Sequence, residues 1–337
     1  MPSNASPNDA GVSVMGDQLS SLEVTVGQSI TKVSDTSMDG AASRPSEDSE
    51  RVLDPELWKP HPPTEECPVC FVPLPLDDKE STYCLCCGKS ICTACTMETL
   101  RAINVINVKR AKEKLPPLAN SCSFCRSTRT STTESQFEER VRKGDDEAAI
   151  SLALKYRDGD ADMNIPKDEA KTLELFHYAA DNLGSLAAMS KLGTLYSDGE
   201  HGAPKDRMKG RKYLEDAVKM GDVCARNTLA CVEAESGNIK LAIRHWKLAA
   251  AAGDTVSTEN LWKCFYKGAL EKAELEETLR AYKEGYDSMS SEERERCKLF
   301  EKAKADNDDL LEKILVSYYR GEIKEKELNK ALKAHHG

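Results

Sequence analysis

The chain has 337 residues, 39% of them apolar and 31% charged, and a net charge of -10 at neutral pH. That length accommodates two or three domains with a sizeable core, and the acidic balance argues against a general nucleic-acid binder, whose affinity comes mostly from neutralising phosphates with Lys and Arg. There is no unbroken apolar run of about 18 residues to cross a membrane, and Met1-Pro-Ser-Asn-Ala-Ser6 opens without the basic start and apolar stretch of a signal peptide, which predicts an intracellular protein, cytoplasmic or nuclear.

Residues 1–62 are rich in Ser, Asp, Gly and Pro and contain Trp58 but no Tyr or Phe. Such a segment buries too little apolar surface to offset its ordering entropy, so a disordered acidic tail is expected. Its serines between Ser43 and Ser49 are phosphate acceptors at most, and the tail reads as solubilising. The Asn4-Ala-Ser6 sequon is without consequence in a chain that is not secreted. Pro60-His-Pro-Pro63 then makes a stiff approach to the first cysteines.

Nine of the 13 cysteines fall between Cys67 and Cys125: Cys67-x-x-Cys70, then Cys84-Leu-Cys86-Cys87-Gly88-Lys89-Ser90-Ile91-Cys92-x-x-Cys95, then Cys122-x-x-Cys125. In a reducing compartment, cysteines paired at this spacing are metal ligands far more often than disulfides. A structural zinc ion takes four soft ligands in a closed tetrahedron. Two ions need eight ligands, and no histidine lies inside the cluster, so two all-thiolate sites are expected. His61, just upstream, is a spare ligand candidate but reads as a linker histidine.

The succession of pairs resembles a RING finger, in which pairs one and three hold one zinc and pairs two and four the other in a cross-brace. Carried onto residues 63–130, the resemblance implies that Cys67, Cys70, Cys92 and Cys95 bind the first ion, while Cys122 and Cys125 share the second with two of Cys84, Cys86 and Cys87. Lys89 stands where the family places a ligating histidine, so an upstream thiolate must replace it. Cys87, followed by the turn residue Gly88, is one of the two. The other is Cys84 or Cys86, with Cys86 preferred because the look-alikes carry a bare Cys-Cys-Gly-Lys. The resemblance further implies a ubiquitin ligase that makes no covalent bond to substrate and positions a ubiquitin-charged conjugating enzyme. Val69 matches the apolar contact to that enzyme and Arg126 the basic residue that reaches towards ubiquitin; the plain alternative for Arg126 is a solvated charge. The chain departs from the family at Ser123, where a proline is common, and in the long gap after Cys95.

That gap, residues 96–120, predicts a helix with Met97, Leu100, Ile103 and Ile106 on one side, ending at Pro116-Pro117. Lys109, Arg110, Lys112 and Lys114 form its basic end, a solvated face by default and a nucleic-acid contact only as an outside reading. Residues 131–145 read as a linker with a short helix, for which Ser135-x-x-Glu138 supplies a capping box, and Asp145 or Asp146 caps the helix that follows.

From residue 146 to about 290 the pattern becomes Ala- and Leu-rich helical periodicity with internal repeats. Tyr156-Arg-Asp-Gly159 recurs as Tyr196-Ser-Asp-Gly199, Ile165-Pro-Lys-Asp168 as Ala203-Pro-Lys-Asp206, and Ala180 to Gly184 as Ala217 to Gly221, at offsets of 40, 38 and 37 residues. The string Ala188-x-x-x-Leu192-Gly193-x-x-Tyr196-x-x-Gly199, followed by Pro-Lys-Asp, resembles Sel1-like repeats, relatives of the tetratricopeptide repeat. Two helical units from Gly237 onward lose the Gly-rich loop. His177, His245, Cys224, Cys231 and Cys264 fall on helical faces and predict packing rather than ligation. Residues 291–337 predict charged helices forming a polar cap on the solenoid.

No nucleophile elbow, phosphate loop or paired histidine and carboxylate occurs at catalytic spacing. The expected architecture is therefore mainly α, a small two-zinc cross-brace module followed by an α-solenoid. It is similar to a family common in algal genomes that combines a RING-type finger with Sel1-like repeats. Its expected partners are a ubiquitin-conjugating enzyme on the module and a protein target on the repeats; the alternative is a non-enzymatic adaptor with a structural zinc module.

Overall fold

The computed structural model describes residues 54–62, 65–128 and 133–335. The serines and the sequon of the expected tail lie outside these residues.

Two knuckles of the cysteine-rich segment share one backbone design. In the first, Cys67 N–H donates to Val72 O and Phe71 N–H to Cys67 O, both at 2.9 Å; in the second, Cys122 N–H donates to Ser127 O at 2.9 Å and Arg126 N–H to Cys122 O at 3.1 Å. Each closes through a left-handed residue, Phe71 at φ 59° and Arg126 at φ 63°. That conformation costs a side-chain-bearing residue roughly 1 kcal/mol, which the paired hydrogen bonds of the turn offset. Between the knuckles lies an antiparallel hairpin of β1 (Ser81–Cys84) and β2 (Lys89–Cys92), with Cys84 opposite Lys89. Gly88 turns it at φ 65°.

Helix α1 (Thr93–Lys112) starts directly after Cys92. The helix expected over 96–120 begins three residues earlier and stops short of the prolines, because Pro116 and Pro117 disfavour helical backbone before them. Lys114 turns left-handed, and the outgoing strand is tied back by Leu118 N–H to Asn107 Oδ1 at 2.6 Å. Helix α2 (Glu134–Arg142) follows. Its capping box is not Ser135 to Glu138 but Thr133 to Gln136, since Ser135 already lies in the first turn; Thr133 N–H donates to Gln136 Oε1 at 3.0 Å.

Eight helices then pair in succession: α3 (Asp146–Asp158), α4 (Glu169–His177), α5 (Leu186–Asp198), α6 (Arg207–Lys219), α7 (Val223–Glu235), α8 (Ile239–Ala251), α9 (Thr255–Tyr266) and α10 (Lys272–Met289). The repeated sequence strings have a mechanical reading. The carbonyls of Tyr156 and Tyr196 accept from Asp168 and Asp206 N–H, each at 2.8 Å, which closes the loop inside the repeat. The same aspartates then accept from Lys171 and Lys209 N–H at 3.0 Å as N-caps. Each lysine returns its ammonium to the tyrosine hydroxyl, at 3.0 and 2.7 Å. Asp145, rather than Asp146, caps α3 through Ala148 N–H at 3.0 Å. Helices α5 and α6 cross so closely that a Cβ on Gly210 would come within 2.7 Å of Gly193 O.

The array ends in α11 (Glu292–Ala305), α12 (Asp309–Tyr319) and α13 (Glu325–His335). These were expected to cap the last repeat. Instead α11 and α12 pack on α1, and Phe300, Leu311, Leu315, Tyr318 and Leu328 form one core with Cys67, Ile91, Cys92, Ala94 and Cys122. Apolar positions at helical spacing among the charges of these helices, such as Leu311, Leu315 and Tyr318, thus face the cysteine-rich module. That module also touches the start of the array, where Tyr83 OH donates to Asp145 at 2.7 Å and Arg140 to Leu85 O at 2.5 Å, and its middle, where Cys224 Sγ lies 3.6 Å from Leu76 O. The array therefore curves around the module. The expectation of disorder through residue 62 fails for residues 54–62, which dock on α6, α7 and α8 because Leu57 and Trp58 find apolar and aromatic partners there.

Candidate metal centre

The two knuckles, the hairpin and the first turn of α1 bring eight sulfurs into two groups. Cys67, Cys70, Cys92 and Cys95 form one, Cys86, Cys87, Cys122 and Cys125 the other, and within each all four Sγ atoms lie within 4.8 Å of one another. Among the edges, Cys67 to Cys95 and Cys70 to Cys92 measure 3.9 Å, Cys87 to Cys122 3.8 Å and Cys86 to Cys125 3.5 Å. A tetrahedron with metal–sulfur bonds of about 2.3 Å has edges of about 3.8 Å, so the donor set fits a zinc-sized ion at both groups. None of the 13 cysteines is joined in a disulfide.

The pairing follows the cross-brace, with sequence pairs one and three in the first group and pairs two and four in the second. Cys86 joins the second group and Cys84 does not. Cys84 ends β1 with its side chain in the core, while the backbone of the hairpin tip, in which Cys87 and Gly88 N–H both donate to Cys84 O at 3.0 and 2.8 Å, turns Cys86 and Cys87 together. Lys89 is exposed on β2 and belongs to neither group. His61 does not either; its Nδ1 lies 3.0 Å from Gly221 O.

Protonation is strained in these groups. The hydrogen bond from Cys95 draws the Cys92 thiol down to about 4, with the Arg294 guanidinium assisting, and the same bond together with burial holds the Cys95 proton on. Burial pushes Cys70 up. In the second group burial raises Cys86 and Cys87; at Cys122 burial also pushes upward, but the backbone N–H groups of Cys125 and Phe124 together with the thiols of Cys86 and Cys125 outweigh it and bring it to about 6. Four thiols so close cannot all ionise without a cation between them, which a bound metal supplies.

Arg294, on α11, was not a sequence candidate. It is 3% exposed, and among the described residues no carboxylate lies within ion-pair distance of it. Its guanidinium donates to Pro73 O and Met289 O at 2.5 Å and Val72 O at 3.2 Å, and reaches Cys70 Sγ at 3.6 Å. A buried cation needs a compensating negative group, and the thiolates of the first group are the one at hand. The sequence signal was one arginine in the charged stretch Glu292-Glu-Arg294-Glu-Arg296, indistinguishable there from a solvated charge.

Val69 and Arg126 line one open cavity of about 540 Å³ along α1, together with Glu98, Thr99, Ala102, Ile103 and Ile106 and bordered by Ser291 and Glu293. Of the basic end of α1, Arg110 is spent on Pro116 O at 2.6 Å, while Lys109, Lys112 and Lys114 are exposed. Of the helical histidines and cysteines, His245 is buried, His177 contacts Tyr196 at 2.8 Å, and Cys231 and Cys264 pack in the core of α7 to α10 as expected, whereas Cys224 is exposed on α7.

Among the described residues no helix is long and apolar enough to cross a membrane. A Sel1 repeat model matches residues 146–182, 186–222 and 233–254, and the match does not extend to the cysteine-rich segment. No curated protein matches the chain. Solved structures that resemble it include a Sel1 repeat protein from Oxalobacter formigenes, at 21% identity and a TM-score of 0.39, covering 46% of this chain and 63% of that one. Another is a protective antigen of uropathogenic Escherichia coli displaying an SLR fold, at 20% identity and a TM-score of 0.40, covering 46% of this chain and 33% of that one. Within residues 146–254 the helical array contains Sel1 repeats, and the chain joins them to a module whose two cysteine tetrads can hold metal ions.

Proposed function

We propose that the chain is a RING-type ubiquitin ligase in which Cys67, Cys70, Cys92 and Cys95 hold one zinc ion and Cys86, Cys87, Cys122 and Cys125 a second. The observation that carries this reading is the convergence of Val69 and Arg126 on one groove beside α1. Bound zinc would cross-link the knuckles and the hairpin and take no part in bond making. Val69, with Ala102, Ile103 and Ile106, offers an apolar seat for a conjugating enzyme; Arg126 offers a fork of donors at the groove edge to hold ubiquitin in a reactive pose. The repeats supply a surface for a target protein.

A second reading, a non-enzymatic scaffold with a structural zinc module, is favoured by the core shared between that module and α11 to α13. A module braced in this way stabilises the array whether or not a conjugating enzyme docks. Autoubiquitination across a broad panel of conjugating enzymes separates the two. The ligase reading expects activity that Val69→Ala and Arg126→Ala each lower severalfold or more. No activity across the panel, with two zinc ions per chain by native mass spectrometry, overturns it and leaves the scaffold.

A further inference from the structure

Residues 54–62 lie against the repeats as a peptide lies in a receptor. Asp54 caps a single turn, Pro55–Trp58, and pairs with Lys219 at 2.9 Å. Leu57, 3% exposed, enters a pocket of Leu214, Ala217, Val218, Ala225 and Leu229. Trp58 stacks on His245 with ring centroids 4.5 Å apart, and the Arg244 guanidinium lies 3.5 Å from its ring centre. Arg226, 1% exposed, donates to Leu57 O at 2.6 Å and Lys59 O at 3.1 Å.

We propose that this groove of α6, α7 and α8 is a recognition site for short acidic peptides carrying a Leu-Trp pair, and that residues 54–62 are its intramolecular occupant, displaced when a partner's segment binds.

Three features separate this arrangement from ordinary linker packing. Arg226 reads the main chain, so it accepts any extended segment that presents two carbonyls, while the Leu57 pocket and the Trp58 stack set the sequence preference. The groove is cationic: Arg226, Arg244 and Lys219 contact the segment, yet Asp54 is the one acidic side chain of the segment that pairs with any of them. Burial holds Arg226 down to about 10, and no carboxylate lies within ion-pair distance of it among the described residues. A partner segment placing a carboxylate near Arg226 would thus gain an interaction that the internal occupant lacks. Third, Pro55, Pro60 and Pro62 remove backbone donors, leaving a segment that neither extends a helix nor pairs as a strand, and that can leave the groove without breaking either.

The inference rests on the reading of the repeats as a partner-binding surface and uses no residue of the metal centre. Its test is a fluorescein-labelled peptide of residues 52–62 titrated against the full chain. In wild type the tethered segment competes at an effective concentration in the millimolar range, so binding is weak. In Leu57→Ala/Trp58→Ala the tethered copy is disabled and the peptide is expected to bind at least about tenfold tighter, with Arg226→Met in that background abolishing the gain. If the double variant does not fold, Trp58→Ala alone must show tighter binding than wild type. Equal affinity for wild type and the folded variant, or binding to neither, overturns the proposal. Autoubiquitination of the same variants is read separately, so loss of the peptide site and loss of the ligase reading are distinguishable.

Discussion

Arg294→Met tests whether the C-terminal helices and the first tetrad form one unit. Methionine keeps most of the aliphatic stem, so the change removes charge and hydrogen bonds with little loss of packing. The guanidinium makes three bonds to the carbonyls of Val72, Pro73 and Met289 and faces Cys70. Hydrogen bonds from a charged donor contribute about 1.5–3 kcal/mol each, and removing one partner of a buried charge pair costs about 3–5 kcal/mol. A four-thiolate zinc site carries a net charge of about -2, so with zinc bound, as proposed, this arginine would also be the local counter-charge of the first site. The expected loss is about 3–5 kcal/mol in docking of α11, with zinc released to a chelator at least about tenfold faster from the first tetrad. The second tetrad, on Cys86, Cys87, Cys122 and Cys125, should keep its rate. Two-phase release monitored by a colorimetric chelator, with native mass spectrometry of the one-zinc intermediate, reads this directly. Arg294→Lys should restore part of the slow phase by returning the charge without the fork. Unchanged release, or equal acceleration of both phases, refutes the coupling.

Acid should undock residues 54–62. Burial, with Arg226 beside both and Arg244 and Arg211 beside the second, lowers His61 to about 4 and His245 to about 3, against about 6.5 when undocked. The docked form therefore holds both rings neutral. Its stability is fully present above about pH 6.5 and falls by about 1.4 kcal/mol per unit and per histidine below that, down to the docked values. Tryptophan fluorescence between pH 7 and 5.5, referenced to Trp58→Phe, should show the transition while both zinc ions remain bound, and His61→Gln should shallow it; a flat profile counts against the docked geometry. Gly88→Ala should cost about 1–2 kcal/mol from its left-handed backbone and from a Cβ that would strike the Arg140 guanidinium and Asp145. The consequence should be faster zinc loss from the second tetrad, whose Cys86 and Cys87 the turn holds; an unchanged rate would mean that the turn does not set the site.

The sequence by itself determined what depends on short-range periodicity and spacing. Tyr-x-x-Gly and Pro-Lys-Asp recur because each repeat closes the same loop with the same Tyr, Asp and Lys hydrogen bonds, and the C-x-x-C pairs recur because a knuckle needs two sulfurs on one turn. Those local rules were enough to read the helical array and the cysteine pairs; the cross-brace order came only with the resemblance to a RING finger. They were not enough for Cys86 over Cys84, which hangs on how a hairpin absent from the cysteine pattern turns its tip. Nor could they show that Arg294 sits under a sulfur cluster whose Cys70 is 224 residues away in sequence, that Trp58, the lone aromatic of its segment, stacks on His245, or that α11 to α13 share a core with the cysteine-rich module instead of capping the repeats. Each of these depends on which apolar faces meet when the array curves. Amphipathic helices advertise that they have a face to bury, and only the closed tertiary structure decides against what.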